Sequence, residues 1–427
     1  MFGPLPYSAL LCLTHFNSPM SLLKRIALII AFLAVVGLIA YGLYFFFTRT
    51  AKIGQPQPPA GIVLPPEQLP ISGAKPATTT GVTQGPGEEL LPISGIIVST
   101  TPAYYKPAPV SQILSQTVTN PSLNIGGDFR YYNANDGKFY RILPGSGIKQ
   151  LSDQVFFNAQ KVTWAKSKNQ AVIEYPDSSK IVYNFDTQKQ TTLPKHWQDF
   201  SFSADGSQIA AKSIGLDPAN RWLVTVNSDG SGAKLIEPMG DNADKVTVNW
   251  SPSRQVVAFS QTGAPQSGEA REVLFIGLNG ENFKSAIVAG SGFQPQWSPT
   301  GKKLLYSVYS SRSDFKPELW LTDSYGDSIG NNRQSLKINT WADKCTFSND
   351  DTMFCAVPKN LPTGAGMSPG IAQYNYDDLY KIDLKTGLKT PISLNGNYNV
   401  TNISYDAITN KIVFTDLNKS GVFESNL

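Results

Sequence analysis

From Val118 onward the hydrophobic pattern repeats one phrase. An aromatic residue closes a short apolar stretch, a four-residue turn of Ser, Pro, Asp, Gly or similar residues follows, and an apolar stretch returns. The phrase reads WAKSKNQAVIEY from Trp164, FSADGSQIAAKS from Phe202, WSPSRQVVAFSQ from Trp250, WSPTGKKLLYSV from Trp297 and FSNDDTMFCAVP from Phe347. Two strand-like runs around a tight polar turn predict a β-hairpin. A third strand pattern follows each hairpin (KIVYNFD, RWLVTVNSDG, REVLFIGLNG, ELWLTDSYG and DLYKIDLKTG), then a fourth, weaker segment. The steps from aromatic to aromatic are 38, 48, 47 and 50 residues, a period that marks a solenoid or a propeller.

Two further copies flank these five: VTNPSLNIGGDFRYYNANDGKFYRI from Val118 and VTNISYDAITNKIVFTDLNKSGVFES from Val400. Seven units of about 44 residues match the size of a four-stranded blade. The expected fold is therefore all-β, a propeller of four-stranded blades over residues 110–427, with seven blades favoured and six or eight as the alternatives. A ring is preferred to an open stack because each sheet then buries both faces against its neighbours. The repeating aromatics are read as packing between blades. The last unit stops after its third strand, at Val422 to Glu424, while Val110 to Thr117 precedes the first unit without a hairpin of its own. This segment is expected to supply the missing outer strand and close the ring.

Ahead of the repeat the pattern changes twice. Residues 26–47 are 22 uncharged, mostly apolar residues, which as a helix would span about 33 Å, enough for a bilayer core. This predicts a transmembrane helix acting as an uncleaved signal anchor, because the apolar run exceeds that of a secretory leader and no small-residue cleavage site follows closely. The flanking charges balance, Lys24 and Arg25 against Arg49 and Lys52. The run MSLLKRIALII from Met20 reads as a natural start, so residues 1–25 are expected to be a cytoplasmic N-terminus, of which 1–19 is a candidate over-extended start. Residues 48–109 are rich in Pro, Thr and Gly, with LPISG at 69–73 and again at 91–95. Such a segment cannot build a core and predicts a stalk; the duplicated string is alternatively a docking motif. The propeller is expected on the extracytoplasmic side of the cell membrane.

Charge and composition narrow the chemistry. The net charge is +4, and residues 1–52 contribute four cations and no acid, so the rest of the chain is formally neutral. Nucleic acid as a partner needs a dense cationic patch and is not expected. Two His and three Cys leave few ligands for zinc, haem or an iron cluster, and no cofactor is expected. His196, in LPKHWQDF, reads as a loop residue. Asp323 and Asp327 lack the spacing of a calcium loop and read as turn chemistry. Cys345 and Cys355 flank the Ser348 to Asp351 turn and face each other across neighbouring strands, either as a disulfide or as two small buried thiols.

The WSPTGKKLLYS and FSADGSQIAAKS strings resemble the WD40-like (PD40) repeats of the TolB-like bacterial β-propeller family, over roughly residues 118–427. The resemblance implies a periplasmic propeller that binds protein partners in the cell envelope. Here the repeats follow a membrane anchor and stalk where such a chain would carry a small α/β domain. Propellers similar to these also accompany prolyl-oligopeptidase hydrolases, but no residues remain for the α/β domain with G-x-S-x-G that such an enzyme needs. Propeller lyases that resemble this chain gather several His around a metal, and His196 alone follows the anchor.

The loops are asymmetric. First-to-second turns stay short, but second-to-third connections grow in successive units: SIGLDPAN, QTGAPQSGEA, VYSSRSDFKP, and PKNLPTGAGMSPGIAQYNYD from Pro358 to Asp377. All lengthen one rim, and long loops on a rigid scaffold are where recognition is usually placed. Candidate partner-binding residues are Arg221, Arg312, Lys316, Lys359, Met367, Tyr374 and Tyr376. Asp217, Glu269, Asp314 and Glu318 are interspersed with the cations, which favours a mixed polar partner. The expectation is a non-enzymatic envelope scaffold or receptor-like module docking a protein or glycan. The alternative is a glycan-binding or glycan-cleaving enzyme using carboxylates of the propeller channel.

Overall fold

The computed structural model of the 427-residue chain describes residues 32–38, 40–41, 109–143, 147–281 and 283–427. The chain divides into two units, residues 1–85 and 86–427. In the first, residues 32–38 and 40–41 are helical and expose Phe32, Leu33, Val35, Val36, Leu38 and Tyr41. No helix among the described residues is long and apolar enough to cross a membrane. The remainder of the expected 26–47 span, the leader with Cys12, and the Pro-rich segment up to residue 108 with both LPISG copies lie outside the described residues.

The second unit is a ring of seven four-stranded antiparallel sheets, here called blades 1 to 7 in chain order. Blades 1 to 6 take their strands from 119–150, 161–193, 197–238, 246–289, 291–335 and 345–392, each strand beside the next in sequence. Blade 7 departs from this order. Its first three strands are Val400–Asp406, Lys411–Asp416 and Val422–Asn426, and its outer strand is Val110–Leu114 from the far end of the domain. The register runs from Val110 opposite Ser425 to Leu114 opposite Val422. The N-terminal segment therefore closes the ring, using five residues of the expected eight.

Burial explains why the second strand of each unit reads as an unbroken apolar run. Val256–Ser260 is buried at every position, and the middle five residues of Gln208–Ile214 and of Lys303–Tyr309 are buried too. These strands have a neighbouring blade on both faces, so the alternation of a half-exposed strand disappears. The repeating aromatics sit between blades. Trp297 of blade 5 stacks on Phe259 of blade 4, with centroids 5.1 Å apart, and its indole N–H donates to Asn249 O of blade 4 at 3.2 Å. At the junction of blades 1 and 2, the Trp164 indole N–H likewise donates to a carbonyl of the preceding blade, Asn120 O, at 2.9 Å. An indole thus fills the wedge with apolar area and satisfies a carbonyl next to the channel. Phe202 and Trp250 are likewise buried, whereas Phe347 is half-buried against the core of blades 5 and 6.

First strands of neighbouring blades approach one another and line the central channel. Each runs from the rim where the chain crosses between blades to the rim of the short hairpin turns. Second-to-third loops therefore open on the crossing rim. These loops span 134–137 and 175–179 in blades 1 and 2, then 215–220, 261–269, 310–317 and 359–376 in blades 3 to 6. Val110 lies opposite Ser425, and Asn426 lies opposite Lys411 beside the short turn of blade 7. The chain thus enters the ring, and Val422–Asn426 ends, on the short-turn rim.

Candidate functional site

The long loops form a hydrogen-bonded arc along the crossing rim. Glu269 of the blade 4 loop accepts from the Ser311 amide at 2.9 Å and from its hydroxyl at 2.7 Å, in the blade 5 loop. Those bonds hold the Glu269 carboxyl below the usual carboxylate range, with nearby Arg312 acting in the same direction. Asp314 and Phe315 then turn the blade 5 loop through two consecutive left-handed residues, both at φ 54°. This presents their carbonyls to the blade 6 loop, where the Gly364 and Gly366 amides donate at 2.9 and 2.8 Å. Gly366 is required by the close approach: a Cβ there would collide with the Tyr309 side chain and lie 2.8 Å from Phe315 O.

At the far end of the blade 6 loop, Gln373 O accepts from Asn399 Nδ2 at 2.7 Å and from Asn418 Nδ2 at 3.4 Å, both from blade 7. Asp377, where the loop meets its third strand, has a side chain with no solvent exposure. Its carboxylate takes both bonds from Lys344 Nζ and one from the Val400 amide at 2.7 Å. Burial raises the Asp377 carboxyl above the usual carboxylate range, and the Lys344 charge offsets only part of that rise. The loop is pinned at both flanks, and between them it exposes Met367, Ile371, Tyr374 and Tyr376, with Tyr374 78 % exposed. Leu417, beside the anchoring Asn418, is also exposed.

The sequence-derived candidates divide into two kinds. Met367, Tyr374 and Tyr376 stand in the exposed apolar group. The lysines and Arg221 are engaged within their own surroundings. Arg221 Nε donates to Gly215 O at 3.1 Å and its guanidinium pairs with Asp241 at 3.6 Å. Lys316 pairs with Asp314 at 3.6 Å and Lys359 with Asp378 at 3.3 Å. Arg312 lies on the short 3-10 helix Ser311–Ser313. Ile371, Leu417 and the fully exposed Leu216 of the blade 3 loop escaped the sequence reading. The Gly and Pro residues around Ile371 were the available signal, since they mark a loop with little room to fold an apolar side chain away.

Beneath the same rim, Lys161 of blade 2 lies 3.8 Å from Glu174 and 4.0 Å from Asp199 of blade 3. Lys212 pairs with the other Asp199 oxygen at 2.5 Å. Burial raises the Glu174 carboxyl above the usual carboxylate range, against the weaker pull of Lys161 and Lys180. Asp199 is thus tied closely to Lys212, while Glu174 has only the longer ion pair to Lys161. His196 is exposed in the crossing between blades 2 and 3. Among the described residues no group of His, Cys, Asp or Glu is arranged to hold a metal ion. Cys345 and Cys355, directly opposite on neighbouring strands of blade 6, are joined by a disulfide.

No protein-family profile matches the chain. No curated protein matches it either. Solved structures do. The chain is similar to the β-propeller domain of Cps50 (Swd1) from Myceliophteria thermophila at 11% identity, covering 74% of this chain and 99% of that one, with a TM-score of 0.49. Similarity to an oligogalacturonate lyase from Vibrio parahaemolyticus is at 11% identity, over 74% and 93% of the two chains, with a TM-score of 0.49. TolB from Acinetobacter baumannii is similar at 12% identity, over 66% of this chain and 64% of that one, with a TM-score of 0.40. The seven-bladed, four-stranded ring thus has TolB and other β-propellers among its structural neighbours, a likeness of fold and no more.

Proposed function

We propose that this protein is a membrane-tethered, extracytoplasmic β-propeller that serves as a protein-binding scaffold of the cell envelope, docking its partner on the long-loop rim. One observation carries the reading: the 359–376 loop is held at both flanks by hydrogen bonds to blades 5 and 7, yet turns Met367, Ile371, Tyr374 and Tyr376 outward. A loop ordered in this way with its apolar side chains exposed has already met the entropic cost of docking, and Tyr is a preferred interface residue. The neighbouring lysines and Arg221 have carboxylate partners of their own, so the contact favours an apolar and hydrogen-bonding protein face over an anionic polymer. A glycan-cleaving role would need carboxylates free to face a sugar, and Glu174 and Asp199 are engaged by Lys161 and Lys212.

The extracytoplasmic tether rests on the apolar run at 26–47 and on the Cys345–Cys355 bridge, which persists in an oxidising compartment. The test is photo-crosslinking in intact cells from a non-natural residue at position 374, beside a chain in which 361–374 is replaced by a short Gly-Ser link. A discrete protein adduct at position 374, with loss of the same protein from the loop-replaced chain, is expected. Retention of every partner by the loop-replaced chain would overturn the assignment.

A further inference from the structure

Residues 1–109 join the ring covalently through a single strand, Val110–Leu114, and that strand is also the one that closes the circle. It is short and its outer face is wet: Ser111 and Gln112 are exposed, and only Leu114 is buried, among Phe129, Tyr131, Val413 and Val422. Its fastenings run along it and into the two residues that follow. Ser111 Oγ donates to Glu424 at 3.2 Å, Gln112 Nε2 to Ser420 O at 2.9 Å, and Gln116 Nε2 to the Tyr131 hydroxyl at 2.8 Å. Its register with Val422–Asn426 begins at Val110 on the short-turn rim and ends at Leu114 on the crossing rim.

Direction of load then decides how these fastenings act. A pull on Val110 against the long-loop rim runs along the strand, so every backbone pair is sheared at once. A pull on Val110 against the C-terminal end, which lies beside it at Ser425, peels the pairs apart one after another. Hydrogen bonds loaded together resist far more force than the same bonds loaded in turn. We infer that Val110–Leu114 is a directional mechanical clasp: it keeps the ring shut under tension between the docking rim and the N-terminal segment, and it releases readily when drawn from the short-turn rim alone. The inference rests on the proposed tether and docking rim for the direction of load in the cell, while the mechanical asymmetry follows from the strand's register and its end on the short-turn rim.

Single-molecule pulling of the full chain tests it, with handles clicked to non-natural residues at positions 109 and 374 in one preparation and at 109 and 427 in the other. The 109–427 pair is expected to give a first event at half the force or less of the 109–374 pair, releasing only the closing strand, about 2–3 nm of chain. Cross-linking the facing pair in the double variant Ser111→Cys/Glu424→Cys should abolish that early event. Equal first-event forces in the two geometries, or a first event that releases a whole blade from the 109–427 pair, would overturn the inference. Retention of every partner by the loop-replaced chain with the force asymmetry intact would instead count against the docking assignment alone.

Discussion

The Lys344 ammonium lies 2.9 and 2.8 Å from the two carboxylate oxygens of Asp377, a side chain with no solvent exposure. Lys344 belongs to the crossing into blade 6, and Asp377 ends the docking loop. The pair therefore joins the loop's foot to the ring, and Lys344 also reaches Asn399 at 3.2 Å, the residue that holds Gln373. Removing one partner leaves the other charge buried alone, which typically costs about 3–5 kcal/mol. Lys344→Met is expected to lower stability by that amount in urea unfolding. In the surviving folded fraction, protease cleavage within 361–376 should accelerate before the ring opens. A variant as stable and as resistant as the parent would show that the pair is dispensable.

The Cys345–Cys355 bridge closes a short loop, separated by 10 residues in sequence. Constraint of so short a loop in the unfolded chain is worth about 2–3 kcal/mol on the chain-entropy account. Thiol titration of the denatured protein should find two more thiols after reduction than before. Both residues are almost completely buried, so Cys345→Ala/Cys355→Ala is expected to keep the fold while lowering stability by about 2–3 kcal/mol or more, because a small cavity adds to the lost constraint. Equal thiol counts with and without reductant would remove the bridge.

The ring and its closing strand were legible because each blade repeats one aromatic-and-turn phrase, and because a unit lacking its fourth strand pointed to a strand lacking its blade. Tertiary pairing was not legible in the same way. Lys344 and Asp377 are 33 residues apart and meet only because a crossing and a loop foot share a rim. The charges of Arg221, Lys316 and Lys359 looked available in the sequence, since their carboxylate partners could be fixed only once the loops were folded. Exposure of Leu216, Ile371 and Leu417 was invisible for a related reason: an apolar residue in a loop is covered or bare according to what folds over it.

Gly421 makes ring closure open to a single substitution. It lies just before Val422 at φ 114°, and a Cβ there would collide with Leu114 O and approach Gln112 Nε2. Gly421→Ala must both adopt a backbone conformation that L residues disfavour and push the closing strand outward, so a loss of about 2 kcal/mol or more is expected. Hydrogen exchange should rise first in 110–114 and 422–426. Uniform exchange across all blades would mean that the strand does not open separately.

On the short-turn rim, Asp205 accepts from the Ser203 hydroxyl at 2.7 Å and the Ser207 hydroxyl at 2.8 Å and pairs with Arg254 of the next blade at 2.8 Å. With Ser203 contributing most, these partners hold its carboxyl down at about 2. A carboxylate depressed in the folded state contributes stability that is present above its unfolded pKa, near 3.9, and is lost as pH falls through about 2. Stability should therefore decline between about pH 4 and pH 2. Asp205→Asn should flatten part of that decline while lowering stability at neutral pH, modestly because the site is partly exposed. An unchanged slope in the variant would show that Asp205 does not couple protons to folding.

Tyr374 and Tyr376 separate a docking role from a structural one. A buried Tyr→Ala change would remove packing and cost several kcal/mol. Tyr374 is 78 % exposed and Tyr376 is 43 % exposed, so neither can contribute much to the core. Tyr374→Ala should change stability by less than about 0.5 kcal/mol. If the rim docks a protein, the same variant should weaken that contact by about 2 kcal/mol or more, roughly 30-fold, because aromatic anchors dominate interfaces. Lys359→Ala serves as the contrast: its charge already has Asp378 as a partner, so its removal should alter binding only a few-fold. Binding measured by calorimetry against the partner identified by crosslinking, alongside urea unfolding of each variant, would resolve the two roles. A Tyr374→Ala protein that binds normally but unfolds early would make the loop a packing element instead of a docking face.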